Sequence, residues 1–310
     1  MEEKAPIIVL AGATGDLGGR IAREITQLGG QVRALVRPGT AEDRLWSLRE
    51  LGAEIREVKL TDAAGLADAC GGAACVVSAL SGLAATVIDG QTQLLEAAEA
   101  AGVPRFMPSD FSLDFTGLPR GTNRNLDMRN VFRARADASS LRITSVLNGM
   151  FADLLNGLAP FVIDRIHRVL YYGDASQPMD FTTMDDTARF TAHAALDPDT
   201  PRYLRIAGDV LDAHGLAEAA TRARGEPYRT LRIGGVRLLS TLIDVTRLVA
   251  PQRDEVYPPW QGMQYMRNMF SGRGKLNPLD NDRYADMEWT SVESVLRAGA
   301  QQPAKVDGKS

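Results

Sequence analysis

Residues 12 to 21 read GATGDLGGRI and follow IIVLA, the first uninterrupted apolar run of the chain. Glycines at 12, 15 and 18, with Ile21, Ile25 and Leu28 beyond them at helical spacing, describe a strand, a tight turn and an amphipathic helix. In such a turn Gly12 permits the bend off the strand, Gly15 lets backbone approach a pyrophosphate with no Cβ in the way, and Gly18 brings the helix close to the sheet. The helix N-terminus adds free N–H donors and a partial positive charge. The chemistry on offer is the binding of a dinucleotide phosphate.

The end of the second strand selects among dinucleotides. An acid about 20 residues after the glycines holds the ribose hydroxyls of NAD. Here the stretch is ALVRPGT, with Arg37 in the region of that carboxylate and Arg44 on the helical stretch that follows. A guanidinium pairs with a 2′-phosphate as a bidentate fork and offers nothing comparable to a free hydroxyl, so the expected cofactor is NADPH. The competing reading leaves both arginines as solvated surface charges.

Other chemistries lack their residues. None of the seven tyrosines has Lys four positions later, which excludes the usual Tyr-x-x-x-Lys arrangement. His167, His193 and His214 are scattered and no metal site is expected; nor is there a nucleophile elbow. Cys70 and Cys75 read as reduced structural thiols. A net charge of -4 gives no pull toward nucleic acid or an anionic membrane, leaving small molecules as the expected partners. No apolar run reaches spanning length and the acidic start MEEKAP lacks a cationic n-region, so a cytoplasmic location is expected.

The elements that must position these residues follow a βαβ rhythm. Strand-like runs lie at 31–36, 54–58, 75–79, 105–108 and 142–147, with helical stretches between them such as TVIDGQTQLLEAAEAAG, closed by Gly102 and Pro104. The fold class is α/β, a doubly wound parallel Rossmann-type sheet with a smaller substrate-side region. The division expected is 1–155 for the dinucleotide-binding domain and 156–310 for the substrate side. Part of 180–210 returns to the first domain, because YLRIAG at 203–208 reads as a late strand. Near the end, Thr290 and Glu293 have capping-box spacing ahead of a last helix, and the polar tail from Gly299 reads as frayed.

GATGDLGGRI, ALVRPGT, RFMPSDFS, SVLNGMF and MEWTSVESVL together resemble the NmrA-like branch of the atypical short-chain dehydrogenase/reductase superfamily. That branch includes isoflavone, phenylcoumaran benzylic ether and pinoresinol-lariciresinol reductases as well as NmrA-type transcriptional co-regulators. The resemblance runs from about residue 6 to residue 296 and is densest in the first 150. It implies NADPH held by Gly12, Thr14, Gly15, Leu17 and Gly18 at the pyrophosphate and Arg37 at the 2′-phosphate. It also implies that SALSG, with Ser78 and Ala79, runs along the nicotinamide, and that PSDF ends the fifth strand beside the ring. Position in the sheet agrees for PSDF: Ser109 and Asp110 follow a parallel strand and should face the crevice, unless they are a turn-forming pair.

Two departures stand out. The related reductases use a lysine seventeen residues before the valine matching Val146; that position holds Arg129. Arginine stays protonated, so it can stabilise an oxyanion but a proton must come from water or a neighbour such as Asp110 or Asp127. Lys59 stands where relatives have an acid near the adenine. Around Arg129 the segment NRNLDMR places Asn125 and Arg129 on one helical face, either toward a substrate or toward solvent. VYPPWQGMQYMRNMF is open to three readings: pocket wall for a flat apolar substrate, core, or homodimer contact. Two functions follow from all this. One is an NADPH-dependent reductase of a small aromatic or apolar molecule; the other is a non-catalytic NADP(H) sensor that engages a protein partner.

Overall fold

Side chains of the first strand divide by parity. Ile8 and Leu10 of β1 (Ile7–Ala11) enter an apolar cluster with Ile21 and Ile25, whereas Val9 and Ala11 enter another with Leu66, Leu94 and Phe132. Successive strand side chains point to opposite faces, so a strand apolar at both parities must be covered on both sides. Parallel strands joined by crossover helices satisfy that requirement.

The computed structural model describes residues 5–159 and 161–301. After β1 come α1 (Asp16–Gln27), β2 (Gln31–Val36), α2 (Glu42–Glu50), β3 (Glu54–Glu57), α3 (Ala63–Cys70), β4 (Cys75–Ser78), α4 (Gln91–Ala100), β5 (Arg105–Met107), α5 (Arg124–Asp137) and β6 (Arg142–Ile143). The strands are parallel in the order β3-β2-β1-β4-β5-β6. Strand order reverses between β1 and β4, the place where an open α/β sheet leaves a crevice at its carboxyl ends. The doubly wound parallel sheet expected from the sequence is present.

The remaining elements are β7 (Ser145–Leu147), β8 (Met150–Phe151), β9 (Val162–Ile163), β10 (Arg168–Tyr172), β11 (Met179–Thr182), α6 (Met184–Leu196), β12 (Tyr203–Arg205), β13 (Asp209–Leu211), α7 (Ala213–Arg224), β14 (Arg229–Gly234), α8 (Val236–Val249), α9 (Pro259–Phe270) and α10 (Val292–Gln301). β12 pairs in parallel with β7, Tyr203 opposite Ser145, and α6 packs along α1. Two three-stranded sheets, β14-β10-β9 and β13-β11-β8, surround a further core that includes Phe161, Val169, Phe181, Leu216 and Phe270.

Local details differ from the sequence expectations for identifiable reasons. The run 142–147 is broken at Thr144, because β6 pairs with β5 and β7 with β12. The helix after β4 opens with a π-helical turn, Ala85–Gly90, before α4. Ser291, not Thr290, caps the last helix: its Oγ accepts from the Ser294 N–H at 3.2 Å, while Thr290 is held by Asp186 through its N–H at 2.9 Å. Glu293 pairs with Arg222 and Arg297 instead of closing a capping box. Cys70 and Cys75 are free and buried, and burial pushes both thiols up to about 11. Most of the polar tail, residues 302–310, lies outside the described residues.

Candidate functional site

The glycine turn is set by backbone against backbone. Gly12 has φ +85°, and a Cβ there would lie 2.6 Å from the Ala79 carbonyl oxygen at the end of β4. The Gly15 N–H donates to the Gly12 carbonyl at 3.0 Å and closes the turn. A Cβ on Gly18 would lie 2.1 Å from the Gly12 oxygen, so Gly18 admits the turn's own backbone more than it admits the sheet. Among the described residues five helices carry a side-chain N-cap: α3, α5, α6 and α7 from Asp62, Asn123, Thr183 and Asp212, and α10 from Ser291. α1 has Gly15 at that position and no side-chain cap, which leaves its first N–H groups available to an anion. Thr14 is half-buried beside them and Leu17 packs on the core beneath.

Arg37 follows β2 and is exposed, as is Arg44 in the first turn of α2. Neither guanidinium makes a hydrogen bond or ion pair with a described residue. Arg33, four residues earlier within β2, is by contrast committed to Glu54 at 2.7 Å. Lys59, after β3, is exposed.

At the carboxyl ends of β4 and β5 the polar groups are buried. Ser78 has no exposed surface and its Oγ has no hydrogen-bond partner among the described residues. An orphan hydroxyl of this kind costs about 1–3 kcal/mol, which a bound partner would offset. The Ser109 N–H donates to Gln91 Oε1 at 2.8 Å, and Gln91 Nε2 donates to the Val87 carbonyl at 2.7 Å. Thus the π-helical turn aims Gln91 at the end of β5, a use to which such turns are often put.

Asp110 is wholly buried: its Oδ2 accepts from Ser145 Oγ at 2.6 Å, while its Oδ1 has no hydrogen-bond partner among the described residues. Burial pushes its carboxyl above the usual carboxylate range, opposed by Ser145 and by the positive charges of Arg129 and Arg202. Asp127 is turned elsewhere. Its Oδ2 accepts from the Gly121 N–H at 3.0 Å, and two positions along a helix separate it from Arg129 by roughly 200° of rotation. The structure therefore does not bring Asp127 to Arg129.

Arg129 itself lies under the crevice. Its Nε donates to the Ser109 carbonyl at 3.2 Å and one Nη to the Asn125 carbonyl at 3.3 Å. Only 9% of it is exposed, so the face shared with Asn125 is the buried one. Burial works against its charge, but Tyr265, Tyr257 and Asp110 more than compensate and the guanidinium pKa is raised. The two phenols went unrecognised as site residues from sequence; they stand more than a hundred residues away with no spacing rule to connect them. VYPPWQGMQYMRNMF divides by side chain: Trp260, Met266, Met269 and Phe270 are core, Tyr265 is half-buried against apolar clusters, and Tyr257 is 63% exposed.

Two cavities lie elsewhere. One of about 650 Å³ is lined by Arg124, Asp244, Arg247 and Trp260 among others, and one of about 550 Å³ by residues of α7 and β14. Neither includes a residue of the glycine turn. Among the described residues no group of three or more His, Cys, Asp or Glu converges, and no helix is long and apolar enough to cross a membrane.

Strand order, a glycine turn against the end of β4 and an uncapped α1 define a Rossmann-type protein. The chain belongs to the NmrA-like family, whose model matches residues 4–293. It is similar to bifunctional pinoresinol-lariciresinol reductase 3 of Thuja plicata, 30% identical over 260 residues that cover 77% of this chain and 82% of that protein. Among solved structures it resembles AtPrR2 with NADP+ and (+)pinoresinol, with a TM-score of 0.76, 23% identity and 96% and 100% of the two chains covered. The binary complex of leucoanthocyanidin reductase with NADPH from Vitis vinifera has a TM-score of 0.76 at 18% identity, over 94% and 99%. At those identities the structural likeness carries the fold. Distant homologues are NADPH-dependent reductases of phenolic compounds.

Proposed function

We propose that this protein is an NADPH-dependent reductase of a small aromatic or otherwise apolar molecule. The observation that carries the reading is Arg129, a buried guanidinium bonded to the Ser109 carbonyl beside two phenols, at the carboxyl edge of the sheet. The turn of Gly12, Thr14, Gly15, Leu17 and Gly18 would receive the pyrophosphate on the N–H groups of α1. Arg37, with Arg44 behind it, would take the 2′-phosphate; both are exposed and neither is paired with a described residue. Ser78, Ala79 and Ser109 would border the nicotinamide, and the orphan Ser78 hydroxyl fits a polar ligand there.

NADPH, when bound, supplies the hydride. This chain's part is to fix the acceptor carbon and to stabilise charge. As hydride arrives, negative charge builds on the substrate oxygen, and a permanently charged guanidinium in a water-poor site lowers the energy of that charge. Asp110 acts at one remove, as a buried charge partner that keeps Arg129 and the end of β5 in place. The boundaries 1–155 and 156–310 are proposed as the cofactor and substrate sides, with 180–210 on the cofactor side through α6 and β12.

The same Arg129 favours a second reading, a non-catalytic NADP(H) sensor, because a guanidinium cannot exchange protons as lysine does. One experiment separates the two. A panel of aromatic ketones, enones and benzylic ethers is mixed with NADPH carrying deuterium at C4, and products are examined for transferred deuterium. Transfer to any of them supports the reductase; binding of NADPH without turnover across the panel overturns it. In the same titrations NADPH should bind more tightly than NADH, and Arg37→Ala should erase at least about tenfold of that preference. Equal affinities in the wild type would remove the assignment of Arg37.

A further inference from the structure

The larger of the two cavities, about 650 Å³, is formed by α8, α9, the loop that joins them and the start of α5. Its volume is ordinary for a small-molecule pocket. No residue proposed above for the cofactor or for catalysis lines it. Its α5 residue, Arg124, stands five positions before Arg129, a rotation of roughly 140°, so the two side chains leave that helix on different sides.

The charges of this cavity are one-sided. Arg124, Arg247 and Arg253 line it against one carboxylate, Asp244. The guanidiniums of Arg247 and Arg253 make no hydrogen bond or ion pair with a described residue, whereas those of Arg20, Arg202 and Arg283 each reach a carboxylate at 2.8 Å or less. Arg124 and Arg247 lie against the same indole, their Cζ atoms 4.7 and 5.4 Å from the centre of the Trp260 ring. Attraction to the ring holds the two like charges near one another, and an anion within reach of both relieves their repulsion. The floor is fixed before any ligand arrives. Arg124 donates to the carbonyls of Arg253 at 3.3 Å, Glu255 at 2.8 Å and Val256 at 2.8 Å, and to Asn125 Oδ1 at 3.1 Å. Those acceptors are neutral, so they occupy its donors without cancelling its charge. Trp260 is buried, and its Nε1 donates to the Pro251 carbonyl at 2.9 Å. Apolar surface completes the wall: Pro251, the indole, and Leu248, which is 82% exposed and is surface a ligand would take out of water.

We propose that this cavity binds a small organic anion, a carboxylate or phosphate carried on an apolar body, with its head on the guanidiniums of Arg247 and Arg253 and its body against Trp260, Leu248 and Pro251. A guanidinium presents a planar fork that matches two oxygens of either head. Arg124, whose donors are directed to carbonyls, adds charge and steadies the indole. Asp244 opposes the same head, so affinity depends on the unpaired guanidiniums outweighing it. Inorganic phosphate would use the charge and forgo the apolar wall, and a neutral aromatic molecule would do the reverse. The site is independent of the reductase reading and serves an enzyme or a sensor alike.

The test uses the full chain labelled with fluorotryptophan and observed by fluorine NMR. The chain has three tryptophans, and Trp46→Phe and Trp289→Phe assign the Trp260 resonance by elimination, leaving the buried indole intact. Benzoate or phenyl phosphate should move the Trp260 resonance saturably, with a Kd below about 1 mM, and leave the exposed Trp46 where it is. Benzyl alcohol and inorganic phosphate should each bind at least about tenfold more weakly. Arg247→Gln and Arg253→Gln, both at exposed positions, should each weaken binding of the two anions by about tenfold. Asp244→Asn should tighten it by about twofold or more, a gain that damage to the fold cannot mimic. No saturable shift at Trp260 with either anion, wild-type affinity in both arginine variants, or weaker binding in Asp244→Asn overturns the proposal. Benzyl alcohol or inorganic phosphate binding as tightly as the organic anions overturns it as well, because one half of the recognition would then be idle.

Discussion

At the scale of single residues, the substitution of arginine for the lysine that related reductases use changes what the position does. Lysine can shift its pKa and pass a proton; arginine contributes fixed charge and a planar set of donors. Two of those donors are already spent on the Ser109 and Asn125 carbonyls, which orients the guanidinium and leaves it charged. Arg129→Ala is therefore expected to lower kcat by about 100-fold or more with little change in NADPH affinity, because oxyanion stabilisation acts in the transition state. Stopped-flow traces of NADPH oxidation and a cofactor titration check the two halves. Retention of full turnover in a folded Arg129→Ala protein would put Arg129 in a structural role only.

At the scale of elements, the glycine turn is a place where one atom decides a geometry. A methyl group at Gly18 would meet the Gly12 carbonyl oxygen at 2.1 Å, and backbone cannot move aside as a flexible side chain can. Gly18→Ala should destabilise the fold by about 1–3 kcal/mol, the usual range for forced overpacking, and should cost NADPH binding more than that loss of stability accounts for. Thermal unfolding with and without NADPH separates the two contributions. An unchanged melting temperature together with unchanged affinity would show that α1 does not depend on this approach.

At the scale of the whole molecule, a half-buried ion pair ties β12 to the segment that follows β5 and makes the fold sensitive to acid. Arg205, in the added strand β12, donates to Asp114 at 2.8 Å, and its own N–H donates to Asp280 at 2.8 Å. Burial alone would raise the Asp114 carboxyl, but Thr116 and Arg205 outweigh it and hold its pKa below the usual range. A depressed folded-state pKa stabilises the fold above the unfolded value, near pH 3.9, and that stabilisation is lost as pH falls through the folded value. Asp114→Asn should therefore be less stable than wild type at pH 7, and the gap should close as pH falls below about 4. Urea unfolding at a series of pH values measures it. A gap that stayed constant down to the lowest pH would mean that the Asp114 charge contributes nothing.

Sequence by itself determined the sheet and its binding turn, because both are local. The apolar runs at 31–36 and 75–79 appear as β2 and β4, within a residue at their ends, since each is a short segment that must be covered on both faces. Gly12, Gly15 and Gly18 stand within seven consecutive residues, and Gly15 and Gly18 are constrained by Gly12, although Gly12 itself is constrained by Ala79 at the end of β4. The surroundings of Arg129 were beyond the sequence. PSDF reads as a crevice motif, but the partner that binds Asp110 Oδ2, Ser145, stands thirty-five residues on and is brought near only by the placement of β7. Asp127 and Arg129 look alike on the page, and the helical rotation between them sends one to a loop and the other to the site. The position of α9 against the start of α5 depends on Gln261 and Gln264 meeting Asn123 and Arg124 across 138 or more residues of chain. Such meetings are products of packing between distant segments, and no pattern of adjacent residues encodes them, so the tertiary structure alone decided them.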